Sequence, residues 1–330
     1  VTSIVGISSR LGDFGIGVQT AKGTPAASPT VRAFFAAAPS IQPYITDARY
    51  TMTDGSRDAG DPYVSQMGVQ GDIPVYAHPD LMAILWHAVL GANADSGASD
   101  PFTHTATPAN DLPYVTIWRS IAGVIFEKYT DCKVDTLTID GQAGQPLVVT
   151  LGIKGITSTF GSNETGNPTT TSPYLYMHGA GLLKVDTVAY PIHALNLEVN
   201  NNLQPFQADD FIVDNIDPQA REITGSYSIR FSGATALPLD YRKFFYGGDA
   251  GTSLVGSFAT HALDFKFSQS VSRNMDVAVP VAKWADVPVQ PDPGGNVIEV
   301  QCAFEAMRNF VASVESPIMT VVTLDGNATA

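Results

Sequence analysis

Cysteine is nearly absent from this chain of 330 residues: only Cys132 and Cys302 occur, far apart and each in a strand-like run. Without a CxxC pair or a histidine at ligand spacing beside them, they do not make a zinc site. Two thiols also cannot form the disulfide framework of a small secreted domain. Both are expected to be reduced core thiols, with a single bridge between them left open. Charge is scarce as well, at 15% of residues, and basic charge most of all: 18 Lys and Arg stand against 32 Asp and Glu, a net charge of −14. Such a surface repels nucleic acid rather than gripping it. Long hydrophobic runs are missing too. The longest apolar helical run, Leu81 to Leu90, is about half of the roughly 20 residues that span a bilayer. The N-terminus lacks the basic-then-apolar pattern of a signal peptide. The expectation is a protein made in a cytoplasm, with no membrane partner.

Catalytic and cofactor motifs are equally scarce. The six histidines, His78, His87, His104, His178, His193 and His261, never fall at HxH or HxxxH spacing. No GxSxG elbow occurs. Gly12, Gly15 and Gly17 have the wrong spacing for a dinucleotide fingerprint, and AKGT at 21–24 lacks the upstream glycine of a P-loop. The run DDFIVDNID carries Asp209, Asp210, Asp214 and Asp217 but does not fit an EF-hand loop. A solvated loop or a negative surface is the plainer reading. The three tryptophans, Trp86, Trp118 and Trp284, are scattered and read as core. No enzyme, metal or cofactor is expected.

What the sequence does contain is strand and turn material: 29 Gly, 22 Pro and many Thr and Val. VDTLTID (134–140) and LVVTLGI (147–153) alternate cleanly and read as a hairpin across GQAGQ. One segment reads as a helix: Pro79 and Asp80 suit its first turn, Gly91 its C-cap, and Leu81, Ile84, Leu85 and Ala88 form an apolar stripe. An Ala/Asn/Asp/Ser-rich loop is expected after it, to about Asp111. The strand–helix unit of 64–90 then recurs over 223–246, where Pro238 replaces Pro79. In this reading LDFKF (263–267) corresponds to VIFEK (124–128), and the strands beginning at Met275 and Val297 to those beginning at Val134 and Leu147. The expected fold is mainly β: two similar β-sandwich or barrel domains, 39–180 and 181–330, each with one short flanking α-helix, behind an N-terminal arm over 1–38.

The phrase GIGVQTAKGTPAASP (15–29), the segment HPDLMAILWHAVLG (78–91), and PYVTIWRS with CKVDTLTIDGQAGQPLVVTLGIKG after it resemble bacteriophage tail tube (major tail) proteins of long-tailed phages. The resemblance covers most of the chain, which is long enough for two tube domains. It implies a structural virion protein of the tail. Six tube domains close a ring around a lumen, rings stack through loops and N-terminal arms, and DNA passes through without specific binding. In a duplicated chain three copies supply the six domains, giving a trimeric, pseudo-hexameric ring, with a hexamer as the alternative. The implied partners are the chain itself and the tape measure, tail terminator and distal tail proteins.

Candidate lumen-facing acids lie on the hairpins around 134–154 and 273–304: Asp135, Asp140, Asp276 and Glu299. Candidate inter-ring contacts lie on the arm and loops: the aromatic pair Phe34 and Phe35, Arg57 and Asp58 in the polar linker TDGSRDAGDP, and Asp209 and Asp210. Two other function classes fit a β-rich, motif-poor chain: a capsid decoration or baseplate protein, and a β-sandwich that binds or hydrolyses carbohydrate.

Overall fold

A computed structural model describes residues 12–49, 61–121, 125–161, 182–230, 260–286, 299–308 and 317–328, with 175, 245–246, 251–254 and 256. The protein is mainly β, as expected. The first half holds β1 (Gly12–Val18), β2 (Val31–Phe34), β3 (Gln42–Arg49), β4 (Pro62–Tyr76), α1 (Pro79–Leu90), β5 (Gly91–Ser96), β6 (Phe102–Pro108), β7 (Val115–Ile121), β8 (Ile125–Gln142), β9 (Val148–Gly155) and β10 (Thr157–Phe160). The second half holds β11 (Leu182–Val185), β12 (Val188–Tyr190), β13 (Ala194–Asn200), β14 (Gln204–Phe206), β15 (Asn215–Asp217), β16 (Glu222–Arg230), β17 (Thr260–Ser270), β18 (Arg273–Asp286), β19 (Glu299–Ala306) and β20 (Thr320–Asp325). All sheet pairings between these strands are antiparallel.

Seven pairings of the second half match seven of the first, while β5, β6, β14 and β15 have no counterpart. β1 pairs with β2 and β7, as β11 pairs with β12 and β17. β8 pairs with β7, β9 and β10, as β18 pairs with β17, β19 and β20. β4 pairs with β3 and β9, as β16 pairs with β13 and β19. Register repeats as well, down to two β-bulges. β7 and β8 slip between Val115 and Ile117; β17 and β18 slip between His261 and Leu263. β8 and β9 slip between Val134 and Thr136; β18 and β19 slip between Trp284 and Asp286. A bulge adds one residue to one strand and bends it. Its recurrence therefore fixes which residues correspond: Cys132 with Ala282, Val134 with Trp284, and Thr136 with Asp286.

That register corrects the sequence alignment. Leu263–Phe267 occupies the place of Ile117–Ile121, not of 124–128, because β17 stands where β7 does. Short alternating strands look alike in sequence, and only their partners tell them apart. The arm expected over 1–38 is also corrected for its described part. β1 and β2 belong to the sheet, and Phe14, Ile16, Val31 and Ala33 are buried in the core. Gly15 permits this, since a Cβ there would lie 2.9 Å from Pro29. The loop expected after α1 is instead the β5–β6 hairpin, whose polar residues are held by pairing with each other and with β20.

α1 begins as read, with Pro79 in its first turn and Asp80 beside it, and ends at Gly91, where φ is +102°. It is not covered on one stripe only: among its twelve residues every one except His87 is buried. It touches β5, β6, β8, β18 and β20, and Trp86 donates to Met275 Sδ at 3.0 Å. The second expected helix, 238–246, lies outside the described residues apart from Phe245 and Tyr246, which are helical. Cys132 and Cys302 are both buried and are not joined in a disulfide, and burial pushes the Cys132 thiol up.

The halves share one continuous core, which contains residues from β1 through β20. Two strand pairings cross between them. β8 pairs with β13 from Thr136–Asn200 to Gln142–Ala194. β6 pairs with β20, and there His104, 1% exposed, lies between two carboxylates, 2.6 Å from Asp95 and 3.1 Å from the fully buried Asp325. Burial pulls the His104 pKa down, but hydrogen bonds to Asp325 and Asp95 outweigh it and raise the value to about 9. Burial raises Asp325, against the pull of His104.

Candidate functional site

Six strands in the order β4–β9–β8–β13–β16–β19 form one uninterrupted sheet through both halves. Side chains alternate across a strand, so directly opposed residues share a face. The inner face is core: Ile73, Val75, Val149, Leu151, Leu137, Ile139, Leu197, Val199, Tyr227 and Phe304 are all buried. The outer face is polar in every strand. One cross-strand row runs Tyr76, Val148, Asp140, Asn196, Ser226 and Ala303; the next runs Pro74, Thr150, Thr138, Glu198, Thr224 and Glu305. A third row brings Asp72, Gly152, Thr136, Asn200 and Glu222 together.

Among the residues whose side chains are described, the three rows carry five acids, Asp72, Asp140, Glu198, Glu222 and Glu305. The nearby lysines are already paired. Lys154 of β9 lies 2.8 Å from Asp135, and Lys283 of the adjoining β18 lies 3.0 Å from Glu305. Asn196 donates to Asp140 at 2.7 Å. The rest of these rows is hydroxyl, amide, small and apolar residues. The face offers no pair of facing carboxylates around a cleft, and among the described residues no cluster of His, Cys, Asp or Glu could hold a metal. Chemically, the surface can hydrate, repel anions and present acceptors.

The sequence candidates divide on this geometry. Asp140 is on the face and exposed. Asp135 sits at the bulge and is committed: its carboxylate accepts from the Leu203 amide at 2.7 Å and pairs with Lys154. Asp276 is not beside Asp140. It lies outside the six strands, on β18 between β17 and β20, and pairs with Lys266 at 3.2 Å. Glu299 begins β19 opposite Arg230. Missed by the sequence reading were Asp72, Glu198, Glu222 and Glu305, whose alternation with buried neighbours was the available signal.

Among the arm and loop candidates, Phe34 is 61% exposed, whereas Phe35 bridges to Val75 and packs on the core. The expectation of an exposed pair is thus corrected to one exposed ring. Asp209 and Asp210 are exposed in the segment between β14 and β15, which is held against β4 by Gln207 on Ser65 O at 2.8 Å and by Phe211 O on the Met67 amide at 2.7 Å. Arg57 and Asp58 lie outside the described residues, between β3 and β4.

The phage tail tube protein family matches this sequence over residues 10–306. The chain belongs to that family. A comparison with curated proteins gives no match. Family membership makes the protein a structural component of the phage tail and of the virion, where it assembles with itself and with other tail parts. Among the described residues no helix is long and apolar enough to cross a membrane.

Proposed function

We propose that the chain is a duplicated tail tube subunit whose six-stranded polar face lines the lumen of a ring. Three copies supply six tube domains, the rings stack, and DNA passes through the hole. The observation that carries this reading is the face itself: it runs without a break through both repeats, bears five acids among its described side chains, and has the nearby Lys154 and Lys283 held in ion pairs. Phosphate is repelled from such a wall, so DNA can slide without binding. The lumen acids in this reading are Asp72, Asp140, Glu198, Glu222 and Glu305.

The repeated pairings support the count of three chains, since each chain would bring two similar units. Phe34, Arg57, Asp58, Asp209 and Asp210 are the proposed contacts between rings. The tape measure protein is the proposed lumen partner before ejection, and the terminator and distal tail proteins are the proposed partners at the tube ends. Negative-stain images of the purified protein test the reading. Hollow rings or tubes whose averages show threefold features on a sixfold outline are expected. Dispersed monomers at high concentration would overturn it, and six chains per ring would overturn the count.

A further inference from the structure

Cations of this chain sit on carboxylates at many points: Arg32 on Asp13, Lys154 on Asp135 and Arg273 on Asp100. Arg221 has neutral partners instead. Its Nε donates to Asn201 Oδ1 at 2.7 Å, and its Nη2 donates to Ala109 O at 2.9 Å and Leu90 O at 3.3 Å. Leu90 is the last residue of α1, so the guanidinium completes the carbonyl end of the helix, where a cation is favoured. That task occupies Nε and Nη2. Nη1 has no hydrogen-bond partner among the described residues. Burial lowers the Arg221 pKa, and no carboxylate among the described residues offsets the loss of water. The helix end supplies only a partial negative charge. A half-buried cation held by neutral acceptors has room for an anion to complete it.

Arg221 also lines a cavity of about 660 Å³. The first half supplies Thr107 and Asn110 at the end of β6, and the second supplies Arg308 after β19 and Ile318 before β20. Among the described lining residues none is acidic, although acids outnumber bases by 32 to 18 in the chain. None of them belongs to the three rows of the polar face either. We infer that this cavity binds a small organic dianion of the phosphate class, with Arg221 and Arg308 on its oxygens. The planar N–H fork of a guanidinium matches phosphate oxygens, and two forks balance two negative charges. The Thr107 hydroxyl and the Asn110 amide add neutral donors. The volume exceeds what a bare ion fills and falls in the range of small-molecule cavities. Because the walls come from both halves, an occupant ties them together, and its binding adds to the stability of the fold. The inference goes beyond the tube reading and does not rest on it.

The test is calorimetric titration of the dilute full chain with inorganic phosphate at pH 8, at an ionic strength held constant with sodium chloride. Saturable binding at one site per chain is expected, with a rise in melting temperature that chloride does not give. Arg308→Gln is expected to weaken phosphate about tenfold, the loss of one charge-assisted contact. Asn110→Asp places a carboxylate in the wall. It is expected to weaken phosphate by a similar factor, and, being exposed, to leave the melting of the phosphate-free chain unchanged. Lys266→Gln removes a cation away from the cavity and is expected to leave the affinity unchanged. Arg221 itself is kept, since its loss would open the end of α1. Phosphate without saturable heat above chloride would overturn the inference, as would wild-type affinity in Asn110→Asp. An equal loss in Lys266→Gln would reduce the effect to general attraction of anions and overturn it too. Binding by the dilute chain that vanishes in assembled rings would mean that a neighbouring chain covers the cavity, and would overturn a small-molecule ligand while leaving the tube reading standing.

Discussion

Raising the pH from 6 to 9.5 is expected to weaken the joint between β6 and β20 through His104. The imidazole is buried between Asp95 on β5 and Asp325 on β20, with Asn327 O also 3.1 Å from Nε2. Asp80 of α1 and Arg273 of β18 add their fields at Asp325 and around it. The folded pKa of His104, about 9, lies above the ordinary 6.5. A histidine raised in this way stabilises the fold fully below pH 6.5, and the contribution is lost as pH rises through about 9. The gap, at 1.36 kcal/mol per unit, is worth roughly 3 kcal/mol at most. Asp325 is raised by burial, so its sign is the same: its ionisation opposes folding. Urea unfolding of the dilute chain at pH 6, 7, 8 and 9.5, followed by the fluorescence of the buried Trp86 and Trp284, measures the loss. His104→Gln should lower stability at pH 6 by about 3 kcal/mol, because it leaves a buried carboxylate without its cation. It should also flatten the dependence between pH 6.5 and 9.5. A wild-type stability that stays level or rises over that window refutes the reasoning.

Three further perturbations follow from contacts already described. Gly225→Ala should lower the melting temperature, at a cost of about 1–3 kcal/mol, since its Cβ would sit 2.6 Å from Phe304 Cζ and 2.7 Å from Asn196 O; an unchanged melting curve would count against the packing of β16 on β19. Arg119→Met should cost about 1–3 kcal/mol in a denaturant titration, because it removes the guanidinium from Glu127 and the Ile41 carbonyl and leaves them the Tyr129 hydroxyl alone. Replacing Asp140 and Glu198 with lysine together puts two cations on the polar face. Assembled protein should then retain DNA in a salt-sensitive way in a filter-binding assay, and no gain of binding would argue against a lumen position for that face.

The fold was legible where local chemistry and tertiary role coincide. Pro79, Asp80 and Gly91 mark α1 because a helix start and a left-handed stop are backbone demands that few residues meet. VDTLTID and LVVTLGI read as strands because one face of each is core. The β5–β6 hairpin was not legible, since GANADS has turn composition and becomes strand only through β6 and, beyond it, β20, more than 200 residues away. Long-range pairing overrides propensity there. β1 read as an arm for the same kind of reason: its glycines signal a loop locally but serve close approach once Pro29 and β7 are in place.

The acidity of the site was legible, but the particular acids were not, and the bulges explain why. Strict alternation from Leu137 and Ile139, both buried, would put Asp135 in the core and Thr136, Thr138 and Asp140 outside. The adjacent polar pair Asp135–Thr136 breaks that phase, because the strand carries its extra residue there and turns Asp135 toward Lys154 and the Leu203 amide. Asp276 fails for a second reason. It alternates correctly with the buried Met275 and Val277, but β18 changes partner along its length, pairing with β20 near residue 276 and with β19 only from Ala282 onward. Which surface a residue of such a strand serves depends on where its partners lie. The bulge that hid Asp135 in the first half recurs in the second, between Trp284 and Asp286, so alternation alone misplaces residues at the same point of both long strands.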